Sequence, residues 1–374
     1  MTRVTLDDVA GVAGVSRATA SRALTGSGSV SQATREKVQA AAGRLAFTPH
    51  QAARALASSQ TQAIALVIPE PDAFVLADPF LSGVIMGVSE TFHATRYQMI
   101  LVIARPDDPV TKVSRVLRPD YVDGAIVVSQ HGTGHLSRVI AANEVPVVFV
   151  GRPWDEAVSP AAPGTGPEPG GGADAPDAPP ARAVAAEPGD GVTRAASTRW
   201  YVDVDNRRVG QLATRHLVAR GARRIACIAG PADMTPVQDR SRGWRETLEA
   251  AGLEPGPVTH APFTFRDGEA SLHRILATDP AVDAIFAQSD LMAAGAMRAL
   301  AAAGIAVPDQ MRVVGVDDTE ISRATSPTLT TVTNPAGELS CRASRMLLRV
   351  LGRDDATAIG PEIIVPHLVV RESA

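Results

Sequence analysis

The stretch TLDDVAGVAGVSRATASRALTGSGSVSQATREKVQAAAGRL (5–45) decides how the amino end of the chain is read. Thr5 followed by Asp8 has capping-box spacing, with Asp in place of the usual Glu, and Leu6, Val9, Ala10 and Ala13 fall on one apolar stripe. Gly14 supplies the stop. Ser16 with Thr19 opens a second helix that runs to about Leu24, and Gly26 and Gly28 make a loop. Ser31 then caps a third helix predicted over 32–45, with Val38, Ala41, Ala42 and Leu45 turned inward. Two short helices joined by a tight turn and crossed by a third can deliver a helix into a DNA major groove.

On the second helix Arg17 lies near the amino end, where a guanidinium can donate two hydrogen bonds to a guanine, and Ala18 can pack on a thymine methyl. Ser16, Thr19, Ser21 and Arg22 carry polar groups suited to phosphates or bases. The same pattern fits a small bundle with a solvated arginine face, so the helices alone do not decide. Charge adds to the case. Residues 1–60 hold seven Lys/Arg against three acids, whereas the remainder holds 29 against 37, within a chain of net charge −4. A small basic module on an acidic body suits a phosphate-backbone partner at one end. After Pro49, the segment AARAL (52–56) permits another short helix. Two copies packed together would drive Leu56 into a minor groove, but a plain linker would serve the same position.

From residue 62 the pattern changes to buried strands alternating with helices. Strands are predicted at AIALVIP (63–69), QMILVIA (98–104), VDGAIVVS (122–129), VPVVFVG (145–151), RRIACIAG (223–230), AIFAQS (284–289) and MRVVGVDD (311–318). Helices are predicted at 80–94, 134–144, 206–220, 240–251, 268–277 and 290–303. Continuous apolar strands with helical crossovers imply parallel sheets covered on both faces. The pattern runs once before and once after the middle of the chain, which suggests two similar α/β lobes. Between the lobes, 25 of the 36 residues at 157–192 are Ala, Pro or Gly. Such a tract buries too little area to offset its ordering entropy and reads as a disordered surface insertion.

Several classes are excluded or disfavoured. Cys227 and Cys341 stand alone, giving neither a disulfide framework nor a metal cluster. No GxSxG, HExxH, CxxC or GxGxxG motif is present, so no catalytic residue, cofactor or metal is expected. The amino terminus has no signal-peptide pattern, and no apolar run is long enough for a bilayer. A cytoplasmic protein that is neither an enzyme nor membrane-bound is expected.

The chain resembles the lactose-repressor (LacI/GalR) family, and the likeness covers nearly its whole length. The head matches that family position by position, as do VDVDNRRVGQLATRHLVARGARRIACIAG (202–230), DRSRGWRETLEAAGL (239–253), AIFAQSDLMAAGAMRALAAAGIAVPDQMRVVGVDD (284–318), SPTLTTV (326–332) and VVRES (369–373). The resemblance implies a small all-α helix-turn-helix head (1–48), a hinge helix or linker (49–60), and an effector-binding and dimerisation body (61–374). That body would have two α/β lobes, like a periplasmic binding protein. It implies a homodimer, with a tetramer as the alternative, that reads double-stranded operator DNA of approximate two-fold symmetry in the nucleoid. Arg17 and Ala18 would read bases. Thr5, Ser16, Thr19, Ser21 and Arg22 would fix the head, and His50, Ala53 and Leu56 would serve the hinge at the minor groove.

In the cleft the resemblance implies effector contacts from Phe80, Ser129, Arg240, Ser289, Asp290 and Asp317. An Arg with two carboxylates can grip vicinal hydroxyls, and Phe80, Trp154 or Trp244 could face a sugar ring. A sugar or related polyol is therefore the expected ligand, and a repressor of carbohydrate uptake or catabolism genes the expected function. A purine-, nucleoside- or corepressor-dependent regulator, a solute-binding protein and a sugar-modifying enzyme are the alternatives. The alternative for Arg240 and Asp317 is that they only pair with each other. Departures from the family are Phe47 and His50, where Tyr and Asn are common, and Ser289, where many members have Asn.

Overall fold

The computed structural model describes residues 4–25, 30–47, 60–105, 108, 110–132, 140, 144–154, 200–352 and 358–374. The predicted hinge residues His50, Ala53 and Leu56 and the 157–192 tract lie outside these, as does most of the helix predicted at 134–144.

The head is three helices, α1 (Leu6–Ala13), α2 (Arg17–Thr25) and α3 (Gln32–Arg44). Each predicted cap is present. The Thr5 backbone N–H and hydroxyl both donate to Asp8 Oδ2, at 2.8 and 2.7 Å, while Thr5 Oγ1 accepts from the Asp8 N–H. Gly14 ends α1 at φ 65°, a left-handed conformation that suits glycine. Ser31 Oγ accepts from the Thr34 N–H at 3.3 Å. Val9, Ala10, Ala20, Ala23, Val38, Ala41 and Ala42 form the core, and their small size lets the three helices approach closely.

The body has two six-stranded sheets. The first runs in the order β11-β5-β4-β3-β1-β2, with β1 (Ala63–Ile68), β2 (Gln98–Ile103), β3 (Gly124–Val128), β4 (Val147–Val150), β5 (Tyr201–Val204) and β11 (Glu362–Ile364) all parallel. The second runs β12-β10-β9-β8-β6-β7, with β6 (Ile225–Ala229), β7 (Val258–His260), β8 (Ala284–Ala287), β9 (Arg312–Asp317), β10 (Thr330–Thr333) and β12 (Leu368–Val369); only β12 is antiparallel. β1, β3, β6 and β8 are buried along their whole length, as sheets covered on both faces require. The covering helices include α4 (Asp72–Ala77), α5 (Pro79–His93), α6 (Val110–Val116), α7 (Asn206–Ala219), α8 (Thr235–Ala250), α9 (Phe265–Thr278), α10 (Asp290–Ala302), α11 (Glu320–Ala324) and α12 (Ala336–Leu351).

Two corrections concern how the chain is shared out. The lobes are not successive halves. The chain leaves the first lobe after β5, returns after β10 to add α12 and β11, and crosses once more to add β12. On α12, Leu339, Ala343, Met346, Leu347 and Val350 repeat at helical spacing and belong to the same core as Ile64, Leu66 and Val148. Nor does the 157–192 tract separate the lobes. It lies in the connection from β4 to β5, which are parallel neighbours in the first sheet. Smaller shifts affect α8 and α9, which begin several residues earlier than predicted.

Candidate functional site

The head presents one face of α2. Ala20 and Ala23 point into the core, so Ser16, Arg17, Ala18 and Arg22 are left exposed, with Thr19 and Ser21 half-buried beside them. Ser16 Oγ accepts from the Thr19 N–H at 3.1 Å, fixing the helix start. Arg22 Nε donates to the Ala18 carbonyl at 3.2 Å. Arg17 stands 3.5 Å from Asp7 with both side chains well exposed, a pairing that solvent screens and a phosphate or guanine can displace. The predicted reading helix is therefore assembled as expected. The Thr5 hydroxyl is engaged in the α1 cap, as those of Ser16 and Thr19 are engaged with each other at the start of α2.

The second site is a cleft between the lobes, enclosing about 730 Å³ of free space including its open mouth. It lies at the carboxyl ends of the strands, where open α/β sheets bind ligands. The first lobe contributes Asp78 and Phe80 at the start of α5, Ser129 and Gln130 after β3, and Arg152 after β4. The second contributes Arg240, Phe263, Ser289 and Asp317, with Asp203, Asn206 and Asn334 at the crossovers. Ser129 (φ 60°) and Asp317 (φ 117°) both hold left-handed backbone at strand ends, a strain that recurs where side chains are aimed into sites.

Arg240 is the centre of the cleft floor. It is 5% exposed, and its Nε donates to Asn206 Oδ1 while one Nη donates to the Gln288 carbonyl, each at 2.8 Å. Close helix packing puts it there. A Cβ on Gly210 of α7 would fall 2.1 Å from the Arg240 carbonyl, and one on Gly243 of α8 would fall 2.0 Å from the Arg207 carbonyl, so the crossing needs glycine on both helices. Burial pulls the Arg240 pKa down, and the charges of Asp317 and Asp203 pull it back up. No ion pair joins Arg240 to Asp317 among the described residues, so the guanidinium is not consumed by the pairing that the sequence left open.

Three carboxyls line the cleft with it. Burial pushes Asp203 up to about 6, although its Oδ1 accepts from the Val204 N–H and from Asn206 Nδ2, and its Oδ2 from the Arg152 N–H. Burial likewise pushes Asp78 up to about 6 while it caps α5 by accepting from the Phe80 N–H at 2.8 Å. Asp317, which accepts from Asn334 Nδ2 at 2.9 Å, is held well above the usual carboxylate range by burial and then by the charge of Asp290.

Phe80, Ser129, Arg240, Ser289 and Asp317 thus meet in one cleft as expected. Asp290 does not. It is fully buried behind the wall, where Oδ1 accepts from Thr331 Oγ1 at 2.6 Å and Oδ2 from the Thr319 N–H and hydroxyl. As the first residue of α10 it points down into the strand ends, and its role is to brace the Asp317 turn. Ser289 lines the cleft, but its hydroxyl caps α10 by accepting from the Met292 N–H at 3.2 Å. Trp244 is 1% exposed within the second-lobe core, and Trp154 packs over Gly132 outside the cleft lining, so neither is a stacking face. Phe80 and Phe263 are the aromatic side chains that line the cleft among the described residues. Sequence reading missed Phe263, Asp78, Asp203, Asn206, Gln130, Arg152 and Asn334. Asp78 adjoins Phe80, and VDVDN carries Asp203 and Asn206, whereas Phe263 sits in a loop with no periodic signal. Among the described residues, no group of His, Cys, Asp and Glu is placed to hold a metal ion.

Residues 5–50 match the bacterial regulatory proteins of the lacI family, and residues 214–374 match the periplasmic binding protein-like domain. The chain is 34% identical to the transcriptional regulator CelR of Thermobifida fusca over 99% of its own length and 98% of that protein's. It is 29% identical to the transcriptional regulator DegA of Bacillus subtilis over 99% and 98%. Among solved structures, a CelR–cellobiose complex is similar with a TM-score of 0.68, 32% identity and full coverage of both chains. A lac repressor dimer bound to operator and the anti-inducer ONPF shares the fold, with a TM-score of 0.76, 24% identity, and coverage of 100% and 99%. With its capped helix-turn-helix head and its two-lobed body, the chain belongs to the lacI family of DNA-binding transcriptional regulators.

Proposed function

We propose that this regulator represses genes of carbohydrate uptake or catabolism and releases its operator when a neutral sugar occupies the cleft. The observation that carries this reading is Arg240, buried and in no ion pair among the described residues, lining one cleft with Asp78, Asp203, Asp317, Phe80 and Phe263. A guanidinium with carboxylates offers both donors and acceptors to vicinal hydroxyls, and the aromatic faces suit the apolar side of a pyranose ring. The likeness to CelR, which is seen bound to cellobiose, makes a β-linked disaccharide the leading effector. The working form is a homodimer, each head reading half of a two-fold operator. The edge strand β2, with Ile100 and Leu101 exposed, and Met86 on α5 supply apolar surface for the second copy.

Effector binding shifts the population of lobe arrangements, and the altered lobe geometry loosens the hold of the heads on DNA. The test is operator binding by the purified full-length protein, with an operator recovered from genomic fragments, titrated with cellobiose, glucose, ribose and hypoxanthine. Release by cellobiose supports the reading. Release only by the purine base, or unchanged affinity at saturating sugars, overturns it.

A further inference from the structure

Beside the cleft the lobes also touch through a side chain that belongs to neither the cleft lining nor the strand crossovers. His131 follows Ser129 and Gln130 directly after β3. Its Nδ1 lies 3.0 and 3.1 Å from the two carboxylate oxygens of Asp233, in the second-lobe loop between β6 and α8. Its Nε2 lies 3.2 Å from Glu70 Oε1, which follows β1 in the first lobe and is 8% exposed. Beside this contact the Gly132 N–H donates to the Asp233 carbonyl at 2.8 Å. The second-lobe loop is therefore held by a side chain and a backbone amide from adjacent residues.

We propose that His131, gripped by Glu70 of its own lobe and Asp233 of the other, is the clasp that governs opening of the cleft and hence the escape of its ligand. A neutral imidazole has a single N–H and can satisfy only one of two flanking carboxylates, so the arrangement demands a proton on both nitrogens. The hydrogen bonds to Asp233 and Glu70 accordingly raise the His131 pKa to about 10. The ring is a cation throughout the neutral range and bridges two acids that would otherwise repel across the gap. Asp233 is followed immediately by Met234, Thr235 and Pro236, which line the cleft, so breaking the clasp loosens one cleft wall while the Thr235 hydroxyl still donates to the Arg152 carbonyl. A second interlobe contact, Arg152 to Asp239 at 2.7 Å, lies beyond it and remains when His131 is replaced.

The ligand half of this inference rests on the sugar reading of the cleft; the opening half does not. The experiment therefore has two readouts on wild type, His131→Gln, Asp233→Asn and the double variant. Amide hydrogen exchange at Gly132 in the ligand-free protein reports clasp opening directly, and exchange in β1 and β6 controls for unfolding. Loss of a charge-assisted bond should speed Gly132 exchange by about 10- to 100-fold and leave β1 and β6 unchanged. Cellobiose dissociation should accelerate by a similar factor, with the double variant no worse than either single one. Unchanged Gly132 exchange, or additive effects in the double variant, overturns the clasp. Failure of cellobiose to bind wild type overturns the proposed effector alone, because the exchange measurement still decides the clasp.

Discussion

Arg240 Nε donates to Asn206 Oδ1 at 2.8 Å, tying the middle of α8 to the first residue of α7. Asn206 in turn donates from Nδ2 to Asp203 Oδ1 at 3.0 Å, so one chain of bonds runs from the second lobe to the strand that leaves the first. Arg240→Met should abolish the effector response and leave operator affinity intact, because the described head residues share none of these bonds. It should also cost about 1–3 kcal/mol of body stability, since two buried acceptors lose their donor. Operator titration with and without sugar, alongside thermal unfolding, checks both parts.

The α7–α8 crossing allows no side chain at its two glycines. Gly243→Ala should lower stability by roughly 1–3 kcal/mol through forced separation of the helices, and the displaced Arg240 should weaken sugar binding as well. Gly11→Ala is the control, because nothing lies within 4 Å of its Cβ direction and the melting temperature of the body should not move. Calorimetry on the two variants distinguishes a packing requirement from a general dislike of alanine.

In the head, Arg17→Ala should reduce operator binding by about 1–3 kcal/mol while non-specific binding falls far less. Equal losses on both, measured at fixed salt, would make Arg17 a phosphate contact. Thr5→Ala removes the α1 cap and should cost the head about 1 kcal/mol, seen as an earlier loss of head helicity rather than as altered sequence preference.

The raised cleft acids give opposite pH trends for stability and for binding. Asp78 and Asp203 titrate near 6 in the fold and nearer the ordinary carboxyl value when unfolded, so the fold favours their protonated forms. Their contribution to stability is greatest below the unfolded value and is lost as pH rises through about 6. Sugar hydroxyls donate best to ionised carboxylates, so effector affinity should fall as pH drops from 7.5 to 5. Calorimetric titration across that interval checks the sign; affinity that rises on acidification would remove both carboxyls from ligand contact.

The head was legible almost to the residue because its signals are local. Thr5, Gly14, Ser16 and Ser31 act within four residues of themselves, and each is found capping or stopping its helix. The central strands were legible because burial on both faces leaves continuous apolar runs. β5, β10 and β11 were not, since YVDV, TTVT and EII are short or polar and gain strand character only from the neighbour they pair with. The cleft was half legible for a related reason. Arg240 and Asp317 stand out by type, but Asp290 sits at a helix start that could face either way, and only the Thr331 and Thr319 bonds settle its direction.

The return of α12 and β11 to the first lobe has a temporal consequence. The first-lobe core that begins with Ile64 and Leu66 also needs Leu339 and Leu347, which leave the ribosome roughly 200 residues after β4, on the order of ten to forty seconds later. During that interval β3, β4 and β5 lack the helix that packs on them from the carboxyl end of the chain, and that part of their apolar face is open to chaperones or to wrong partners. Among the described residues the head core lies within residues 6–47, so it has no such wait. A nascent chain therefore carries a finished DNA-reading module well before the sensor that is to control it exists, and full-length synthesis itself becomes the first point at which binding can be placed under regulation.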